Sequence, residues 1–127
     1  MHALLKLYPH VVRPPPPETP EEILYNSKRF PYFADCIGAL DGTHIWAHVA
    51  DEDAIRFRNH YGDITQNVLA VVDFKMNFVY VLAGWEGTAH DGRVLWDALQ
   101  NKGFSVPEGK YYLADAGYSN SIDSYTV

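Results

Sequence analysis

The chain has 127 residues, 47% hydrophobic and 14% aromatic, which suits one globular domain and excludes a disordered tract. Ten Lys and Arg against sixteen Asp and Glu leave a formal charge of −6, a poor match for coating nucleic acid because phosphate contacts need cations. It suits a catalytic piece whose basic partner module lies elsewhere, and suits an ordinary soluble protein equally. Cys36 is the only cysteine, so no internal disulfide forms and a reducing, intracellular compartment is expected. No run approaches the ~20 apolar residues of a membrane span, and no small-residue cleavage site follows the short start, so neither a membrane partner nor a secretory signal is expected.

In chain order, Ala3-Leu4-Leu5-Lys6-Leu7-Tyr8 reads as the last turns of a helix. Pro14 to Pro17 form a stiff linker. Thr19-Pro20-Glu21-Glu22 predicts a helix start, with Thr19 as N-cap and acids in the first turn, running to about Lys28. Residues 1–30 are thus expected to be an N-terminal extension and Pro-rich linker, and 31–127 a partial catalytic domain. Cys36-Ile37-Gly38-Ala39-Leu40-Asp41-Gly42-Thr43-His44-Ile45-Trp46-Ala47 predicts a strand, with Gly42 as a bulge or close-approach point. A short helix is expected within residues 51–58. Asn67 to Phe74 and Phe78 to Gly84 read as two strands of a hairpin about the turn Lys75-Met76-Asn77. Val94, Leu95, Ala98 and Leu99 fall at helical spacing, and Gly103 ends that helix. Tyr111-Tyr112-Leu113-Ala114 is a last strand, ending on Asp115-Ala116-Gly117-Tyr118.

The order strand, strand, strand, helix, strand permits a three-strand antiparallel meander. A right-handed helix crossover then brings the fourth strand beside the first and parallel to it. This is a ribonuclease-H-like mixed α/β sheet, expected to be incomplete at its C-terminus. It makes neighbours of Asp41 and Asp115, 74 positions apart (115 − 41). Two aspartates so placed repel one another unless a cation sits between them. Mg²⁺ takes hard oxygen ligands, commonly one or two carboxylates plus substrate phosphates.

Each residue also has a plainer reading. Asp41 before Gly42 is a turn signal, and Asp115 suits a strand-end cap. Asp91 reads first as the N-cap of the helix, and second as a further metal group. His44 and His48 are spaced by four, but lack the third ligand and general base of a zinc site. Arg93 suits a helix surface as well as a phosphate contact. Trp46, Trp85 and Trp96 suit core or groove packing, Arg56, Arg58, His60 and Lys75 a solvated face, and Cys36 an inert core thiol.

At these residues the chain resembles the Harbinger-type transposase nucleases and the host proteins derived from them. The matching stretches are residues 36–45, Gln66-Asn67-Val68-Leu69-Ala70-Val71, Tyr80-Val81-Leu82-Ala83-Gly84-Trp85-Glu86-Gly87, His90-Asp91-Gly92-Arg93-Val94-Leu95 and residues 111–118. Their order and spacing resemble the family's over roughly residues 30–118. The resemblance implies a divalent-metal-dependent (Mg²⁺ or Mn²⁺) DNA endonuclease with an Asp-Asp-Glu triad. Asp41 matches its first catalytic Asp, Asp115 is preferred for the second, and Asp91 matches another motif Asp. His44, His90 and Arg93 are possible supporting groups.

The family's Glu lies downstream, and nothing after Tyr118 in this sequence matches it. Neither does a DNA-binding helix-turn-helix precede residue 1. His60 stands where the family often has Lys or Arg. The expectation is a truncated, catalytically impaired nuclease domain, with weak or no DNA binding of its own and a possible DNA-binding protein partner. A nuclear location is suggested by the resemblance alone. The alternatives are a non-enzymatic, host-adopted interaction module, or a decayed fragment whose uncovered sheet edge invites aggregation.

Overall fold

The computed structural model of the chain describes residues 2–118 and 124–126. A first helix, α1 (His2–Val11), leads into the proline stretch. The Tyr8 hydroxyl donates to the Val81 carbonyl at 3.3 Å, and the Arg13 amide donates to the Phe78 carbonyl at 3.2 Å. The early segment therefore lies against the strand that begins at Phe78.

The helix expected from Thr19 to about Lys28 is a single turn, α2 (Glu21–Leu24), with Pro20 at its cap position. Thr19 does not cap it; its hydroxyl donates instead to the Ala34 carbonyl at 3.1 Å. Asn26 ends the helix by taking the Lys28 amide on its side chain at 3.0 Å, a local bond that competes with helix continuation. What holds α2 in place is Ile23, which is fully buried.

The sheet is built as the alternation of apolar residues implies. β1 (Cys36–Trp46), β2 (Thr65–Val72) and β3 (Phe78–Glu86) form an antiparallel meander. A short helix, α3 (Ala54–Phe57), sits between the first two strands. The β2–β3 turn is organised by Asp73, whose carboxylate accepts from the Lys75 and Asn77 amides at 2.9 Å each, while Met76 takes a left-handed φ of 64°.

The helix crossover is α4 (Asp91–Asn101). Its buried stripe of Val94, Leu95 and Ala98 packs with Leu40, Leu69, Val71, Phe104, Tyr112 and Ala114. Each fully buried Val or Leu of this kind contributes roughly 1.5–3 kcal/mol. Gly103, at φ +75°, ends the helix as expected, and the Phe104 amide turns back to the Ala98 carbonyl at 3.1 Å.

β4 (Tyr111–Ala114) then lies parallel to β1, giving the mixed α/β sheet of ribonuclease-H type. A strand not expected from the sequence, β5 (Ser124–Thr126), pairs parallel to β4, so the full order is β3-β2-β1-β4-β5.

Cys36 is buried in this core; its thiol donates to the Gly38 carbonyl at 3.5 Å, and burial pushes its pKa up. The tryptophans differ from expectation. Trp85 is half-buried, but Trp46 and Trp96 are 73% and 58% exposed, because β1 runs past the cover of α4 and Trp96 lies on the outer face of that helix. No helix among the described residues is long and apolar enough to cross a membrane.

Candidate functional site

The parallel pairing of β1 with β4 sets the site. Ala39 is level with Leu113, so two residues further along each chain Asp41 comes level with Asp115. Leu40 and Ala114 point into the core under α4. By strand alternation Asp41 and Asp115 therefore share the opposite face, and both are exposed. Each bends one oxygen onto a following backbone amide. Gly42 N–H donates to Asp41 Oδ1 at 2.8 Å, and Gly117 N–H donates to Asp115 Oδ1 at 2.9 Å. The second bond fixes the start of a 3₁₀ turn, Ala116–Tyr118. Local turn bonds, the plainer reading of these aspartates, are thus present at both.

Asp91 approaches from the helix side. It is not the N-cap: His90 holds that position, with no side-chain capping bond, and Asp91 is the first helical residue. An acid there is still favoured by the helix dipole. Its carboxylate turns to the sheet instead, where the Asn67 amide donates to Asp91 Oδ1 at 2.9 Å and to the Ala89 carbonyl at 3.2 Å.

Two glycines leave the room this requires. A Cβ at Gly42 would stand 2.7 Å from Asp91 Oδ1 and 2.8 Å from the Tyr118 hydroxyl. Gly42 is thus a close-approach point, and its pairing with Leu69 in β2 is regular, without a bulge. At Gly117 a Cβ would stand 3.1 Å from Asp115 Oδ1 and 3.4 Å from Asp91 Oδ2. Those two oxygens are consequently at most 6.5 Å apart, the sum of the two distances.

Tyr118 is 1% exposed. Its phenol is held well above its ordinary pKa by burial first, then by the charges of Asp91, Asp41 and Asp115. It stays protonated, so its O–H remains a donor among carboxylates.

The other candidates are distributed around this centre. His44 shares a hydrogen bond with the Thr65 hydroxyl at 3.2 Å. His48 lies beyond the end of β1, so the two histidines do not share a strand face. The His90 carbonyl accepts the first amides of α4, from Arg93 at 2.9 Å and Val94 at 3.2 Å. The Arg93 guanidinium sits 5.9 Å from the Trp85 ring centroid, the outer edge of cation–π range. Arg56 pairs with Glu86 at 2.8 Å on the surface. Among the described residues no group of three or more His, Cys, Asp or Glu stands ready-made around a metal position. The geometry gives the reason: Asp41 faces away from Asp91, and Asp41 and Asp115 each give an oxygen to local backbone.

Asn67 and Tyr118 were not singled out by sequence reasoning. The available signal was an amide side chain at the head of the otherwise apolar run Val68-Leu69-Ala70-Val71.

A family model described as DDE superfamily endonuclease matches residues 40–126. The chain belongs to this family. Comparison with curated proteins and with solved structures finds no match. DDE superfamily endonucleases generally use divalent metals, and the intact family binds DNA. The donors present here suit such an ion. They are carboxylate oxygens, the ligands of hard cations, and two of them meet over a glycine that leaves space between them.

Proposed function

We propose that this domain is a transposase-derived DNA endonuclease core of the Harbinger type, in which Asp41 and Asp115 hold a divalent metal, Mg²⁺ or Mn²⁺. Asp91 is the third carboxylate of the group. The observation that carries this reading is the approach of Asp91 Oδ2 and Asp115 Oδ1 over Gly117, at the end of the parallel β1–β4 pair. When bound, such an ion supplies an activated water and charge neutralisation for phosphodiester hydrolysis.

The chain's own residues do the holding. Asp41 and Asp115 present carboxylates on one face of the sheet, and Asp91 reaches toward them from the start of α4. Buried Tyr118 closes the floor against bulk water. His90 and Arg93 are exposed on the first turn of α4, where they suit an approaching phosphate, and His44 lies further along β1.

Cleavage by this sequence is impaired. The family's Glu has no match in it, and the nearest rival, Glu86, is engaged by Arg56. The net charge of −6 makes DNA affinity weak without a basic partner protein. A nuclear location accompanies this reading.

The purified chain with Mg²⁺ or Mn²⁺ and plasmid DNA is expected to show nicking at background. Robust cutting abolished by Asp41→Ala would overturn the impairment. A second reading, a non-enzymatic, host-adopted interaction module, draws on the exposed aromatics Trp46, Tyr61 and Trp96. It predicts no heat on titration with Mn²⁺.

A further inference from the structure

We infer that Asn67 and Tyr118 are positioning residues that clamp Asp91, so that one oxygen is fixed and the other is turned toward Asp115. The inference rests on the proposed metal site and names what orients its third carboxylate.

Asn67 is 1% exposed within the central apolar strand. A buried amide costs roughly 1–3 kcal/mol unless bonded, and both bonds it donates go to one place. They reach the Ala89 carbonyl just before α4 and Asp91 Oδ1 on its first residue. A side chain needed only to fill the core would be apolar here, like Leu69 and Val71. The amide instead pins the start of the crossover helix, and the carboxylate it carries, to the middle of the sheet.

Tyr118 acts from the other side. Its ring is buried, and its hydroxyl and Asp91 Oδ1 both border the space that Gly42 leaves vacant, at most 5.5 Å apart by the sum of their distances to that point. Oδ1 is thereby enclosed by an amide donor and a protonated phenol. Oδ2 is the oxygen that faces Gly117 and Asp115. Rotation of the carboxylate, which would exchange the two oxygens, breaks the Asn67 bond.

The test is Mn²⁺ affinity by calorimetry for the wild type, Tyr118→Phe and Asn67→Leu, each with Asp91 intact and in an Asp91→Ala background, with melting followed by circular dichroism. Groups that orient metal ligands typically change affinity by about tenfold or more. We expect about that weakening for each variant when Asp91 is present, and no further weakening when it is Ala. A structural role alone would move the melting temperature and produce the same affinity loss in both backgrounds. Tyr118→Phe keeps the ring and its packing, and Asn67→Leu tests the clamp independently if that variant does not fold. Equal losses in both backgrounds, or none in either, overturn the clamp while leaving the metal site standing. A wild type that does not bind Mn²⁺ overturns the site and the clamp together.

Discussion

Gly42 carries the tightest steric requirement in the site. The atoms a Cβ would meet, Asp91 Oδ1 and the Tyr118 hydroxyl, are the ends of side chains, so Gly42→Ala is accommodated by displacing them rather than by breaking the sheet. The expected outcome is a folded protein with Mn²⁺ affinity reduced about tenfold; calorimetry together with a melt separates that from unfolding. Tyr112 offers a test unrelated to the site. Its hydroxyl is buried without a hydrogen-bond partner among the described residues. Its pKa is pushed up to about 12, by burial first and then by Asp73 and Cys36. The folded state therefore holds the phenolic proton more tightly than the unfolded chain does. The resulting stability is complete below pH ~10, the unfolded value, and is lost as pH rises from there through about 12. Thermal melts should show that decline, and Tyr112→Phe should lessen it. At neutral pH the same variant should be neutral or more stable by up to ~1 kcal/mol, since it removes an unsatisfied group.

Among the elements, those with long apolar periodicity were legible and those set by distant contacts were not. β1 to β3, the helix at Val94, Leu95 and Ala98, and the parallel return at Tyr111 follow from patterns that local sequence states. The helix expected at Thr19 shrank to one turn because its capping hydroxyl found a carbonyl 15 residues away. Asp91 carried a similar ambiguity: next to a helix start it reads as a cap, and only the arrival of Asn67 from β2 shows where its carboxylate goes. β5 consists of three residues whose polar ends give no strand signal. Gly38 tests the sheet itself. A Cβ there would run into the Val72 carbonyl of the neighbouring strand, and backbone cannot step aside as a side chain does. Gly38→Ala should cost about 1–3 kcal/mol in urea unfolding. A change within ~0.5 kcal/mol would show that the strands are not this close.

For the whole molecule, the central sheet, one crossover helix and the strand-end aspartates form a unit whose fold and family agree. Asp41, Asp91 and Asp115 were visible in the sequence as motif residues. Their spatial relation depended on topology, and Asn67 and Tyr118 appeared only once β2 and the 3₁₀ turn were placed beside α4. The acidic balance of the chain persists into the site, where three carboxylates surround a protonated phenol and no lysine or arginine is recorded as their partner among the described residues. That uncompensated charge is what a divalent ion would relieve. The most direct measurement is Mn²⁺ titration calorimetry on the wild type, Asp41→Ala and Asp115→Ala at matched ionic strength. The account predicts saturable binding by the wild type and at least about tenfold weaker binding by each variant; absence of binding, or equal binding by all three, would contradict it.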